Sequence, residues 1–144
     1  MRKLCHDCFT QVRVMIVRMV MTVFAVQDLA VSRKFYQDVF GWPINLEFPV
    51  LVSFKMSSNI ELMLYDKDAF ARNTGQMPVF ATENSTSSTE LYFHVDDIEE
   101  VIRKLEKAGA RVLSELKPRD WGDKVAYYAD PDGNVLAVAS PIQG

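Results

Sequence analysis

The stretch Phe24-Ala25-Val26-Gln27-Asp28-Leu29 recurs sixty-nine residues later as Phe93-His94-Val95-Asp96-Asp97-Ile98. Each copy leads into a helical pattern that stops at a glycine, Gly41 in the first copy and Gly109 in the second. Each therefore predicts a strand, an aspartate that caps a helix, about three helical turns and a glycine suited to the left-handed conformation. This internal echo indicates a duplicated supersecondary unit, and two such units can enclose a space between them.

Apolar runs and turn signals extend each copy into a strand, a helix and three further strands. In the first module the predicted elements are Met19–Val26, Ala30–Phe40, Ile44–Phe48, Val50–Met56 and Asn59–Tyr65. In the second they are Glu90–Val95, Ile98–Ala108, Arg111–Glu115, Lys124–Ala129 and Val135–Ser140, with a strong turn signal at Asp130-Pro131-Asp132-Gly133-Asn134. The fold class is therefore predicted as α+β, built from two βαβββ modules.

The domain organisation follows from these modules. We expect a basic N-terminal extension over residues 1–18 and one domain over 19–141. That domain divides into module one (19–65), a polar linker (66–88) and module two (89–141). The linker is long enough to serve also as a flap over a pocket mouth.

Charge and cysteine content exclude several classes of function. The chain has 144 residues and a net charge of -3, with +3 in residues 1–21 and -6 in the rest. This balance argues against nucleic-acid and membrane-surface partners, and favours a neutral or cationic ligand over an anionic one. Cys5 and Cys8 lack the further ligands of a zinc site. Arg13 and Arg18 interrupt the only long apolar run, so we expect neither a signal peptide nor a membrane span, and a cytoplasmic location.

Motifs in order along the chain resemble the vicinal oxygen chelate superfamily. They are Asp28-Leu29 before Ser32–Tyr36 and Phe40-Gly41, Val95-Asp96-Asp97 before a helix ending Ala108-Gly109-Ala110, and the Asp130–Asn134 turn. The superfamily contains glyoxalase I, extradiol dioxygenases, fosfomycin-modifying enzymes and bleomycin-resistance proteins. The resemblance implies a curled mixed sheet around a cavity, with helices outside, and often a homodimer.

The resemblance also implies where metal ligands would lie in an enzyme of this superfamily. The four positions fall on Met21, Glu61, Glu90 and Ala137. A thioether and a methyl group do not replace the His, Gln or Glu ligands of a catalytic divalent ion. We therefore expect no metal or other cofactor, beyond a weakly held hydrated ion between the two glutamates.

Strand alternation predicts the lining of the cavity. If Met21, Glu61 and Glu90 point inward, then Phe24, Leu62 and Phe93 pack beneath the helices, because a slip by one residue would bury both glutamates there. Trp121 lies in a loop where it can act as a lid or pack structurally, and only one of Tyr127 and Tyr128 can face the cavity. The residues predicted to bind a ligand are Met21, Val23, Glu61, Met63, Glu90, Tyr92, Trp121 and Ala137.

Three functional hypotheses remain at this point. The leading one is a small-molecule-binding protein of the glyoxalase and bleomycin-resistance type, which sequesters an amphipathic cationic ligand through an apolar wall, Glu61 and Glu90. The alternative is a lyase or isomerase of the same superfamily, with weak metal or none and Glu61 or Glu90 as general base. The third is a structural or regulatory module with a vestigial cavity. Separately, His94 near the end of its strand is interpreted as a satisfied structural histidine, with a general base as the alternative.

Overall fold

The computed structural model describes residues 15–57 and 59–143, so Cys5 and Cys8, for which no zinc site is expected, lie outside the described residues. The strands are β1 Met21–Val26, β2 Ile44–Phe48, β3 Leu51–Lys55, β4 Glu61–Asp66, β5 Glu90–His94, β6 Arg111–Pro118, β7 Asp123–Ala129 and β8 Val135–Pro141. The helices are α1 Leu29–Phe40, α2 Lys67–Thr74 and α3 Ile98–Lys107. No helix within the described part of the chain is long and apolar enough to cross a membrane.

The strands form two four-stranded mixed sheets, in the orders β1-β4-β3-β2 and β5-β8-β7-β6. The first strand of each module pairs in parallel with the last one, and the other pairs are antiparallel. This arrangement confirms the predicted α+β class and the two βαβββ modules. The curled sheet that the resemblance implied is made of two separate four-stranded sheets, which are not closed.

The aspartates and the glycine that predicted the helix ends in the sequence cap the helices in the structure. The Asp28 carboxylate accepts a hydrogen bond from the Val31 N–H at 3.2 Å at the start of α1, and Asp97 does the same for the Glu100 N–H at 3.1 Å at the start of α3. Gly41 ends α1 at a φ of 64°, in the left-handed region that glycine adopts without a Cβ penalty. The local chemistry of each repeat therefore fixes where its helix begins and ends.

Helix α2 occupies part of the stretch that sequence reasoning left as a linker. The Asp66 carboxylate accepts hydrogen bonds from the N–H groups of Asp68 and Ala69, and Gly75 ends the helix at a φ of 75°. The helix has only 8 residues and little apolar content, which is why periodicity did not reveal it. It packs against β4 and β1.

One hydrophobic core joins α1 and α3 to both sheets. Its members from the sheets include Phe24, Leu62, Tyr128, Leu136 and Val138, all buried. The predicted strand register is therefore right, and the buried Tyr128 leaves Tyr127 on the opposite surface, where it packs on a second small cluster. We call this surface, opposite α1 and α3 on both sheets, the far face.

Aromatic stacking also ties the modules together. Trp42 stacks on Phe40 at the end of α1 with ring centroids 4.3 Å apart. The Trp42 ring also lies 5.6 Å from that of Phe93 in the second module. The first helix is thus anchored to the second sheet as well as to its own.

Candidate functional site

In the first module, the predicted site residues share the far face of β1 and β4. Met21 is the register partner of Glu61, and Val23 is that of Met63. Met63 is buried and Glu61 is half-buried, while Val23 is 39% exposed. An Asn45 side-chain N–H donates to the Glu61 carboxylate, so this acid has a fixed partner inside its own module.

In the second module, small residues on the central strand allow a long-range contact. Tyr92 and His94 on β5 are the register partners of Ala137 and Ala139 on β8, and both alanines are fully buried. Because these side chains are only methyl groups, Tyr92 and His94 extend across β8 to Asp123 on β7. This carboxylate was missed in the sequence, although it alternates with the far-face residues of its strand.

Four side chains form a hydrogen-bonded group that we call the aromatic corner: Tyr92, His94, Trp121 and Asp123. The Tyr92 hydroxyl donates to Asp123 Oδ2, and His94 Nε2 lies 3.0 Å from the same oxygen. The Trp121 indole N–H donates in turn to the Tyr92 hydroxyl at 2.8 Å. Trp121 is 58% exposed and Tyr92 is 41% exposed, so the corner presents ordered aromatic surface to its surroundings.

The charge of the corner is set by these contacts. The hydrogen bond from Tyr92, followed by that from His94, lowers the pKa of Asp123 and stabilises its carboxylate. Desolvation, followed by the hydrogen bond to Asp123, raises the pKa of the Tyr92 phenol, which therefore stays neutral. The corner accordingly combines one carboxylate with two neutral aromatic side chains.

A cation–aromatic pair lies nearby on the far face. The Arg119 guanidinium lies 5.0 Å from the centroid of the Tyr127 ring. Its Nη2 donates to Ser114 Oγ at 2.9 Å and to the Val125 carbonyl at 3.0 Å. The Arg119 side chain is therefore held by hydrogen bonds to β6 and β7, and its guanidinium covers the ring of Tyr127 rather than that of Tyr92.

The side chains at the four expected ligand positions do not fit a catalytic divalent ion. Met21 offers a soft thioether and Ala137 offers no donor, which leaves Glu61 and Glu90 on different sheets. Within residues 15–57 and 59–143, no three His, Cys, Asp or Glu side chains lie together as a metal site would require.

Two recesses border the predicted site residues. Tyr92 and His94 line a pocket of about 500 Å³ that also contains Phe40, Trp42 and Phe93. Val23 lines a smaller one of about 260 Å³, next to Phe70 and to residues 78–80 of the predicted flap. Residues 78–80 of the predicted linker therefore lie beside β1.

Comparison with known proteins supports the class that this fold defines. A sequence model of the glyoxalase-like domain matches residues 19–143. The uncharacterized protein YraH of Bacillus subtilis is 28% identical over 117 residues, which cover 78% of this chain and 90% of that protein. A glyoxalase-related enzyme from Fulvimarina pelagi superimposes with a TM-score of 0.74 at 23% identity, covering 90% of this chain and 94% of that one.

A lactoylglutathione lyase from Agrobacterium tumefaciens has a similar structure, with a TM-score of 0.64 and 26% identity over 85% of this chain and 92% of the lyase. The fold and the placement of its modules thus define a vicinal oxygen chelate protein. Within that superfamily, the chain belongs to the glyoxalase-like domain family.

Proposed function

We propose that the protein binds an amphipathic small molecule with a cationic group on its far face. The observation that carries this proposal is the aromatic corner, where Trp121 and Tyr92 are exposed and yet held by hydrogen bonds. Ordered, exposed aromatic side chains supply contact area at a low cost in conformational entropy. Residues that serve only packing have no need of such exposure.

Binding divides between apolar contact and charge. Met21 and Val23 provide apolar surface, backed by the buried Met63 and Ala137, and this wall supplies affinity for the uncharged part of the ligand. Glu61 and Glu90 lie on the same face and select a cation over an anion. The acidic balance of the chain outside residues 1–21, -6, acts in the same direction.

The proposal requires no tightly bound metal, because the donor set at Met21, Glu61, Glu90 and Ala137 is poor. It also includes a homodimer, in which a second copy covers apolar surface of the first. Met15, Ile16, Val17 and Met19 are each more than 70% exposed, which supports this part of the proposal. Sedimentation of the full chain tests it, and a monomer at micromolar concentration would contradict it.

Calorimetric titration of the wild type and a Glu61→Gln/Glu90→Gln variant tests the charge selection. Glutamine keeps the shape and removes the charge. Because Glu90 is exposed and Glu61 is half-buried, solvent screens both, and we expect a cationic ligand to lose about fivefold in affinity, ~1 kcal/mol. A neutral ligand of equal size should be almost unaffected, whereas equal losses for both ligands would refute charge selection.

The similarity to a lactoylglutathione lyase supports a second candidate function. In a lyase or isomerase, Glu61 or Glu90 would act as general base with weak metal or none. Glu61 is the better placed of the two, because Asn45 fixes its carboxylate. An assay with S-lactoylglutathione tests this candidate, and activity that Glu61→Gln leaves unchanged would contradict the assignment of the base.

A further inference from the structure

We propose that Trp121, Tyr92 and Glu90 form a subsite for an organic ammonium group. This inference rests on the proposed function and assigns its cationic end to one place on the far face. It also assigns different roles to the two glutamates: Glu90 contacts the cation, whereas Glu61 belongs to the framework of the first module.

The first argument is the direction of the polar groups in the corner. The Trp121 N–H is used by the Tyr92 hydroxyl, and the Tyr92 O–H is used by Asp123. Neither side chain has a donor left for an anion, so what they offer a ligand is their ring faces. An aromatic face carries negative potential and attracts cations.

The second argument is the charge around the corner. The carboxylate of Asp123 lies directly behind Tyr92, and its lowered pKa keeps it ionised. Of the cationic side chains of β6 and β7, Lys124 is next to Asp123 in sequence and so belongs to the opposite face, and Arg119 covers Tyr127. Lys117 shares the far face, where its register partner is Val125 rather than Asp123.

The third argument separates Glu90 from Glu61. Glu90 precedes Tyr92 by two residues on the same face of β5, roughly 7 Å along the strand, which is close enough to flank a cation on that ring. No described residue donates a hydrogen bond to its carboxylate, which is exposed. Glu61 accepts from Asn45, and its register partner on β3 is the cation Lys55. Its charge is therefore partly offset within its own module.

Choline and its neutral isostere 3,3-dimethylbutan-1-ol make a matched pair of probes. The ¹⁵N-labelled full chain has two indole N–H signals, from Trp121 and from Trp42, which packs on Phe40 and serves as an internal control. We expect choline to shift the Trp121 signal saturably while that of Trp42 stays in place. The neutral isostere should bind at least threefold more weakly.

Substitutions then locate the charge contact. Glu90→Gln should weaken choline binding about threefold, and Glu61→Gln less than 1.5-fold, since exposed charge pairs contribute little each. Trp121→Leu, followed through saturation transfer to the choline methyl protons, should weaken it further. The change is tolerable because Trp121 is 58% exposed.

The outcomes distinguish the two proposals. Equal affinity for choline and its isostere, or a loss with Glu61→Gln but not with Glu90→Gln, overturns the subsite while ligand binding on the far face still stands. If neither probe nor any larger amphipathic cation perturbs a far-face residue, the proposed function itself fails. A choline-dependent shift at Trp42 instead of Trp121 also overturns the subsite.

Discussion

The Tyr36 hydroxyl donates a hydrogen bond of 2.6 Å to the Asp130 carboxylate, across 94 residues of sequence and between the two modules. Three further bonds join the modules beside it, all to the Asp132 carboxylate: from Ser32 Oγ at 3.0 Å, from the Gln27 backbone N–H at 3.0 Å and from the Gln27 side-chain amide at 3.3 Å. The turn after β7 therefore does more than reverse the chain. It fixes the start of α1 on the second sheet and thereby sets the relative position of the two halves of the far face.

Tyr36→Phe should destabilise the protein by about 1–3 kcal/mol, because it leaves a buried carboxylate without one of its donors. Urea unfolding measured by circular dichroism checks the loss. Tyr65→Phe is the matched control, since the Tyr65 hydroxyl meets only the exposed Asn73 amide. We expect this control to change stability by less than about 0.5 kcal/mol. Equal effects of the two changes would show that the Tyr36–Asp130 bond contributes little.

Stability should depend on pH through Asp130. Burial raises the pKa of this carboxyl above 3.8, although hydrogen bonds from Tyr36 and Asn134 oppose the shift. The folded protein therefore keeps the Asp130 proton over a range where the unfolded chain has released it. This contribution favours folding below the unfolded pKa and is lost as pH rises through the folded pKa.

Comparing the wild type with Asp130→Asn isolates the contribution of Asp130 to the pH dependence of stability, because all other titratable groups are present in both proteins. The difference in unfolding free energy, wild type minus variant, should fall as pH rises from about 4 toward neutrality. Urea titrations at several pH values measure it. A difference that rises over this range would mean that the hydrogen bonds outweigh burial and that the pKa of Asp130 is lowered.

Gly133 should be the glycine least tolerant of a side chain. It has a φ of 84°, and an added Cβ would lie 2.5 Å from the Cβ of Ala81. Gly109 has a similar φ of 75° with no heavy atom within 4 Å of the same position. Gly109→Ala should therefore cost about 1 kcal/mol from backbone strain alone, and Gly133→Ala a further 1–3 kcal/mol or so from overpacking. Thermal and urea unfolding compare the two, and equal losses would argue against the clash with Ala81.

Much of this fold was predictable because its signals are local. Alternating apolar residues in β1, β4, β5 and β8 set the buried face of each strand, and Asp28 and Asp97 set the helix starts. Helix α2 escaped detection because its 8 residues depend on the Asp66 cap and on packing more than on a periodic apolar stripe. The division of the strands into two separate sheets has no local sequence signal either, because it depends on how two modules that are far apart in sequence pack together.

The site was predictable in part for the same reason. The alternation placed Tyr92 and Glu90 on one face and could not choose between Tyr127 and Tyr128. Asp123 was missed because its contact with Tyr92 spans 31 residues and crosses an intervening strand. The contact is possible because Ala137 and Ala139 on the intervening strand have small side chains. This role of the alanines becomes evident only when the registers of β5, β8 and β7 are known.

Protein purified under mild conditions should contain far less than one zinc, nickel, manganese or iron ion per chain. The reason is the poor donor set, in which Met21 and Ala137 occupy two of the four expected ligand positions. Mass spectrometry of bound metals checks this, with a Met21→His/Ala137→His variant as the comparison that should gain metal. One tightly held ion per wild-type chain that disappears in Glu61→Ala would contradict the prediction.

The aromatic corner makes a last prediction about Asp123. The hydrogen bond from Tyr92 is the largest cause of the lowered pKa of this carboxyl, and the hydrogen bond from His94 is the second. Tyr92→Phe should therefore raise the pKa of Asp123 toward its ordinary value, by more than His94→Gln does. A titration that follows the Asp123 carboxyl carbon by NMR measures both shifts. In the same Tyr92→Phe sample, the Trp121 indole N–H should lose its partner and move toward the position of a solvent-bonded indole. An unchanged Asp123 pKa together with an unmoved Trp121 signal would show that the four side chains do not act as one hydrogen-bonded unit.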